Sequence, residues 1–320
     1  MMHSPRSQRG VALVLVMWVA ILIAVIAGSF IQERRSETLI VRNSISMARA
    51  AAAADAGVQR ALLDAFRGDA APDAWKRDGQ PHDWTFDGVP VRVEMRDESA
   101  KIDINTASDA LLRGMLVSVG VEEDEATRLL DAILDWRDPD SLRRPNGAEE
   151  PEYRAAGLDY GPANAPFEAI EELQLVLGMR PDIYRRIAPM ITVYSKQAGI
   201  NPTIAPREVL LAIPGVTPEL VDDYIRRRTD ALATNQPAPA FPQAAAYTAG
   251  ASMVTNVRAE AQLDDGTYFA REAVALLRSL PRRPVEFLVW RESTAPPTPP
   301  DANPGSAVAG TPAPNGGGAG

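Results

Sequence analysis

An uncharged run of 21 residues, Val11 to Ile31 (VALVLVMWVAILIAVIAGSFI), constrains this chain more than any other stretch. A helix needs about 20 apolar residues to cross the hydrocarbon core of a bilayer, so the run predicts one membrane span. Arg6 and Arg9 precede it, and the positive-inside bias then puts Met1 in the cytoplasm and the remainder across the membrane. A cleaved signal peptide has a shorter apolar region, about 7–15 residues, followed by a small-residue exit. This run is longer and has no A-x-A exit. No Pro interrupts Gly28 to Phe66, so the helix is expected to continue into water. There Leu39, Ile40, Ile45, Met47, Ala51, Val58, Ala61, Leu62 and Phe66 recur near helical period, and the Ala-rich centre, Arg49 to Ala56, favours helix.

The rest of the composition narrows the chemistry. With 320 residues, a leader and an anchor leave room for one large or two ordinary domains. A net charge of -9 and a pI near 4.9 argue against a nucleic-acid partner, which requires a basic footprint. There is no Cys, which removes thiolate chemistry and Cys-type zinc sites, and the only His residues are His3 and His82. A His-dependent triad or multi-His zinc centre is therefore excluded. No nucleophile or phosphate loop accompanies the acidic residues, so no enzyme is expected.

Gly68 to Pro81 reads as a loop. Trp84-Thr85-Phe86 and Val89 to Arg96 then read as a hairpin turning at Asp87-Gly88. In the second arm Val91, Val93 and Met95 alternate with Arg92, Glu94 and Arg96, the pattern of a half-buried strand. Later, Met253 to Leu263 and Thr267 to Arg278 form a pair turning at Asp264-Asp265-Gly266, and Val285 to Trp290 is a last strand. Two similar units lie between these groups. Ile102 to Asn105, a short helix carrying Leu111, Leu112 and Leu116, the turn Gly120-Val121 and a helix from Glu125 to Trp136 make the first. Asn105 or Thr106 is placed to cap its first helix. Ile200-Asn201, a short helix, Gly215-Val216 and a helix over Glu219 to Arg228 make the second. Both resemble the helix-hairpin-helix family. DNA-binding members offer Gly-apolar-Gly amides and nearby basic residues. Here the second glycine is replaced, in Gly120-Val121-Glu122 and Gly215-Val216-Thr217, and Glu122 to Glu125 would repel phosphate. A compact helical scaffold is expected, and the alternative of a membrane-anchored DNA receptor is disfavoured by charge.

Between the units, Asp135 to Tyr153 (DWRDPDSLRRPNGAEEPEY) carries Asp135, Asp138, Asp140, Glu149, Glu150, Glu152 and Asn146. Hard oxygen donors in an irregular loop suit Ca²⁺, although the EF-hand spacing is absent. Solvated carboxylates bridged by Arg137, Arg143 or Arg144 are the other reading. After this loop, Pro166 to Gly178 reads as a helix with acidic residues in its first turn. Met179 to Pro189 reads as a shorter helix, and Ile191 to Tyr194 as a strand returning near Asp103. Ala231 to Gly250 reads as a loop. Ser293 onward is rich in Pro, Gly and Ala, with too little apolar bulk to fold.

The charged leader ending in Gly10, the apolar helix that follows at once and its amphipathic extension resemble a type IV prepilin. The resemblance implies cleavage by a prepilin peptidase between Gly10 and Val11, and N-methylation of Val11. The family's usual Glu at the fifth mature position is Leu15 here, a substitution typical of the K-type minor pseudopilins of type II secretion. DWRDPDSLRRPNGAEEPEYRAAG, NAPFEAIEELQLVLGM and YRRIAPMITVYS are similar to that family as well. It implies an α+β class: a pilin-like long N-terminal helix and antiparallel sheet, with an inserted all-α domain containing the helix-hairpin-helix-like units. The implied division is a leader (1–10), a membrane and filament helix (11–31), pilin-like parts at 32–104 and 251–292, an insert (105–250) and a disordered tail (293–320). It further implies structural Ca²⁺ held by Asp138, Asp140 and Glu149, with Asp135 and Asn146 alongside. Expected partners are the I- and J-type minor pseudopilins, other pseudopilins, the prepilin peptidase and the bacterial inner membrane. The chain would be single-pass with its bulk in the periplasm, would cap the pseudopilus tip, and would bind no nucleic acid.

Overall fold

Small side chains decide how closely the long helix lies on its sheet. The structure, a computed structural model, describes residues 9–293 apart from 69, 70, 72, 235, 243, 244, 279–281 and 283, and the side chains of 9–12 and 27–38 are also outside the description. Helix α1 (Arg9–Arg67) is unbroken, about 88 Å long at 1.5 Å per residue. Its distal half buries Ala50, Ala53, Ala54, Val58, Ala61 and Leu62 against Val91, Val93, Met95, Val257, Ala259, Ala261, Ala273 and Ala275. A Cβ on Gly57 would come within 2.9 Å of Val91 Cγ1 and 3.1 Å of Ala259 Cβ. Helix and sheet touch through alanine and glycine, so the interface has little space for anything larger.

The sheet contains β1 (Asp78–Phe86) and β2 (Val89–Asp97), then β5 (Val254–Gln262), β6 (Tyr268–Leu277) and β7 (Val285–Glu292), in the order β1-β2-β5-β6-β7. Every neighbouring pair is antiparallel. Asp87 and Gly88 have φ of 47° and 75°, the two positive values that a tight hairpin requires. The first arm starts at Asp78, well before Trp84, because its ladder resumes beyond an irregularity between Asp78 and Pro81. β2 and β5 are sheet neighbours, with Asp97 opposite Thr255, so the chain leaves the sheet and re-enters it at one place.

What leaves is a second, helical core. A short parallel pair, β3 (Ile102–Asp103) and β4 (Ile191–Thr192), ties its start to its middle, as the return of Ile191 towards Asp103 predicts. Around it lie α2 (Asp109–Ser118), α3 (Glu123–Arg137), α4 (Glu150–Ala155), α5 (Pro181–Ile187), α6 (Arg207–Leu211) and α7 (Pro218–Ala233). Helix α7 therefore runs further than Arg228. The α2 cap is Ser108, whose side chain accepts from Leu111 N. Asn105 is spent elsewhere: its amide exchanges two hydrogen bonds with the backbone of Phe167, at 2.9 and 2.8 Å.

The two hairpin units are a true internal repeat, with a register two residues different from the Ile-Asn pattern. Asp103 and Asn201 are equivalent. Each accepts the N–H two residues on through its side chain, at 2.9 and 3.1 Å. Each also accepts, through its carbonyl, the N–H four residues on. In each unit an arginine from the second helix then closes the loop. Arg137 donates to Ile104 O and Ala107 O, and Arg228 donates to Pro202 O and Ala205 O at 2.7 and 2.8 Å. The turn glycines, Gly120 and Gly215, have φ of 83° and 78°.

The helix predicted over Pro166 to Gly178 is only a short 3-10 segment, Ile170–Leu175. Other segments capture the backbone groups a longer helix would use. Asn105 holds Phe167, Glu172 Oε1 accepts from the N–H groups of Glu168 and Ala169, and the Tyr153 hydroxyl accepts from Leu177 N at 3.0 Å.

Candidate functional site

The acidic loop is built on the end of α3. Eight of that helix's residues are buried, Asp135 among them, because its side chain falls on the stripe that faces the core. Trp136 stacks on Phe167 at 6.0 Å and tilts against Tyr153 at 6.2 Å, giving the loop an apolar floor. Burial pushes the Tyr153 phenol up to about 12. Asp138 caps α3, its N–H bonded to Leu134 O. The chain then loops out and comes back to start α4 at Glu149, which is 5 % exposed.

Two features fold the loop over Asp135. The Arg144 N–H donates to both Asp135 carboxylate oxygens, at 3.3 and 3.2 Å. Gly147 lies against the same carboxylate: a Cβ there would be 2.0 Å from Asp135 Oδ2. Gly147 is thus required by contact with Asp135, and its N–H closes a turn on Arg144 O.

Of the five sequence-predicted ligands, Asp135 and Glu149 are buried and Asp138 is partly buried. Burial raises the carboxyl pKa values of Asp135, Asp138 and Glu149, and neighbouring carboxylates raise them further: Asp138 acts on Asp135, Asp140 on Asp138, and Asp135, Asp138, Asp140 and Glu152 on Glu149. Asp140 adds to that repulsion from an exposed position, its Oδ1 accepting from Leu142 N at 2.8 Å. Asn146 turns away, its Nδ2 donating to Asp131 Oδ2 at 3.0 Å. Asp138 Oδ1 and Glu149 Oε1 are buried with no hydrogen-bond partner. Because the folded-state pKa values are raised, the stability these groups lend is complete below the ordinary carboxylate range and is lost as pH rises through the raised values. The cluster therefore favours the fold less at neutral pH than in acid. Among the described residues no three acidic or His side chains are gathered closely enough to hold an ion as they stand. The chemistry of the donor set nonetheless fits a hard cation: anionic oxygens only, two of them unpaired.

Sequence reasoning missed Asp97, at the neck between the two cores. This carboxylate is 1 % exposed. It accepts from Ser99 N, Ser252 N and Ser252 Oγ and pairs with Arg77 Nη1 at 2.9 Å. Its tie to Ser252, 155 positions away, has no local signal in the sequence.

The expected assembly residues lie at the other end of the molecule. Gly10 and Val11 are in the first turn of α1, while Met1 to Gln8 of the leader lie outside the described residues. The tail beyond Ser293 lies outside them too. Every residue from Leu13 to Ile26 is exposed, with Leu15 at 63 %. Among the described residues no helix is long and apolar enough to cross a membrane; the flanks of the 21-residue run fall among side chains that are not described. The first hairpin turn leads into Glu123, Asp124 and Glu125 in the first turn of α3, an acidic surface.

These features can be set beside known proteins. A family model described as type II secretion system (T2SS), protein K matches residues 93–196. Type II secretion system protein K of Pectobacterium carotovorum subsp. carotovorum is 37 % identical over 81 residues, 25 % of each chain. Its counterpart in Pseudomonas aeruginosa is 29 % identical over 146 residues, 41 % of this chain and 44 % of that one. The chain thus spans between about a quarter and less than half of the length of these curated relatives. In fold it is similar to a chain of the GspK–GspI–GspJ complex from the enterotoxigenic Escherichia coli type 2 secretion system, with a TM-score of 0.57 and 15 % identity. That likeness covers 82 % of this chain and all of the other. The comparisons therefore agree with the resemblance read from the sequence: over residues 93–196 this chain is similar to type II secretion system protein K.

Proposed function

We propose that the chain is a minor pseudopilin of a type II secretion system, capping the pseudopilus tip with I- and J-type minor pseudopilins and helping to start its assembly. The observation that carries this reading is one chain combining an α1 helix on a split antiparallel sheet with a helical insert between adjacent strands, β2 and β5. Residues 105–250 form the inserted domain. The apolar run Val11 to Ile31 anchors the precursor in the inner membrane, with the bulk of the chain in the periplasm. The peptidase cuts between Gly10 and Val11, and Val11 is N-methylated. The helix then leaves the bilayer for a bundle of like helices. Leu15 supports a terminal place, since a buried carboxylate with no neighbour to pair with is expensive in lipid. Mass spectrometry of the chain from membranes containing its cognate peptidase should find a mature N-terminus at N-methylated Val11. A chain that still starts at Met1 would remove the prepilin pathway.

Calcium has a structural role in this reading. Asp135, Asp138 and Glu149 hold it, Asp140 closes in from the rim, and Asn146 supports the loop through Asp131. The ion supplies positive charge to a loop whose carboxylates favour the fold less at neutral pH than in acid, so binding free energy becomes folding free energy.

A further inference from the structure

The acidic loop already contains a cation, and it is badly seated. Arg144 Nε is 3.5 Å from Asp135 Oδ1, and Arg144 Nη2 is 3.9 Å from Asp138 Oδ2. Neither distance is that of a well-made hydrogen bond. Arg144 Nε is buried and makes no hydrogen bond beyond that loose ion pair, and Asp138 Oδ1 and Glu149 Oε1 are likewise buried without a hydrogen bond. A guanidinium held for stability alone meets a carboxylate in a fork, two N–H groups to two oxygens; Arg207 does so with Asp222 on α7, at 2.6 and 3.0 Å. Arg144 also leaves the cluster under-neutralised. Its guanidinium reaches Asp135 and Asp138, and none of the ion pairs among the described residues includes Glu149. The Arg144 side chain is 40 % exposed, so it can leave towards solvent without crossing the core. Its backbone N–H, which fixes Asp135, would stay in place when the side chain moves.

The geometry points to Arg144 as the site's own counter-cation, which neutralises Asp135 and Asp138 when no metal is bound and which a divalent cation must displace. This rests on the calcium reading of the loop and adds the residue that sets the affinity. Its side chain supports the loop without calcium and competes with calcium for the same oxygens. Arg143 is the natural control. It stands next in sequence but faces Glu152 at 3.5 Å from a half-exposed position, outside the contested set.

The test is thermal unfolding of the purified full chain in detergent, from excess EDTA through rising CaCl₂, for wild type, Arg144→Gln and Arg143→Gln. The wild type should melt higher as calcium rises. Arg144→Gln should melt lower than wild type in EDTA, yet reach its calcium plateau at about tenfold less calcium, the effect of removing one competing charge at close range. Arg143→Gln should follow the wild type in both respects. Should Arg144→Gln fold too poorly to measure, Arg144→Lys, which keeps a charge without the planar fork, should shift the midpoint the same way by less. A wild-type calcium response with an unchanged midpoint in the Arg144 variants leaves the calcium reading standing and overturns the role of Arg144. No calcium response in any of the chains overturns the calcium reading and the displacement with it.

Discussion

Gly114→Val should unfold the helical insert. A Cβ at Gly114 would lie 2.1 Å from the carbonyl oxygen of Ala212 and 3.2 Å from its carbon. That obstacle is backbone, at the end of α6, and cannot rotate away as a side chain would. The contact is where the first hairpin unit crosses the second, with Leu111, Leu112, Met115, Leu116, Val209 and Leu210 all buried around it. Relief therefore requires moving one helix pair against the other through a close-packed core. Overpacking of this kind costs about 3 kcal/mol or more, a large fraction of the stability of an ordinary domain. Gly250→Ala is the control, because nothing lies within 4 Å of the Cβ it would add. Urea unfolding of the two variants should separate them clearly. A Gly114→Val protein within about 0.5 kcal/mol of wild type, the range of ordinary surface substitutions, would mean that the two units do not pack as described.

Asp97→Ala should be nearly as damaging, by another mechanism. The carboxylate joins the end of β2 to the point where the chain re-enters the sheet, through Ser252 N and Oγ. Arg77 spans the same junction, donating to Ser252 O at 2.9 Å as well as pairing with Asp97. Truncation leaves a partly buried guanidinium without its anion and takes the acceptor from the N–H groups of Ser99 and Ser252 inside the protein. Removing one partner from a buried ion pair costs about 3–5 kcal/mol. Asp97→Asn keeps an acceptor and should lose less, and Arg77→Ala, which removes the more exposed partner, should fall between. Equal stability of Asp97→Ala and wild type in calorimetry would show that the neck is held by the chain crossings alone.

The parts of the fold legible in the sequence are those in which a residue's neighbours in the chain are also its neighbours in space. Val91, Val93 and Met95 alternate and do face one core, and the apolar face of α1 keeps its helical period as far as Leu62. The Pro166 to Gly178 segment carries every local mark of a helix. It fails to become one because Asn105, Glu172 and Tyr153 take its backbone groups, and two of those three are distant in sequence. The repeat was visible but its register was not. Ile-Asn occurs in both units, yet Asp103 rather than Asn105 is the counterpart of Asn201, since either side chain can accept the N–H two residues on. At the acidic loop, composition singles out the stretch but not its internal arrangement. Which carboxylates face inward depends on the Arg144 N–H and on the absence of a side chain at Gly147, and counting acidic residues reveals neither. This is how Asn146, a plausible oxygen donor by position, comes to bond Asp131.

The central claim is that this chain does its work as one member of a tip assembly. It is tested most directly by isolating the full chain from detergent-solubilised membranes that also express its cognate I- and J-type minor pseudopilins. The account predicts that both co-isolate with it in a fixed ratio. A chain that isolates free of both partners, while correctly processed at Val11, would contradict it.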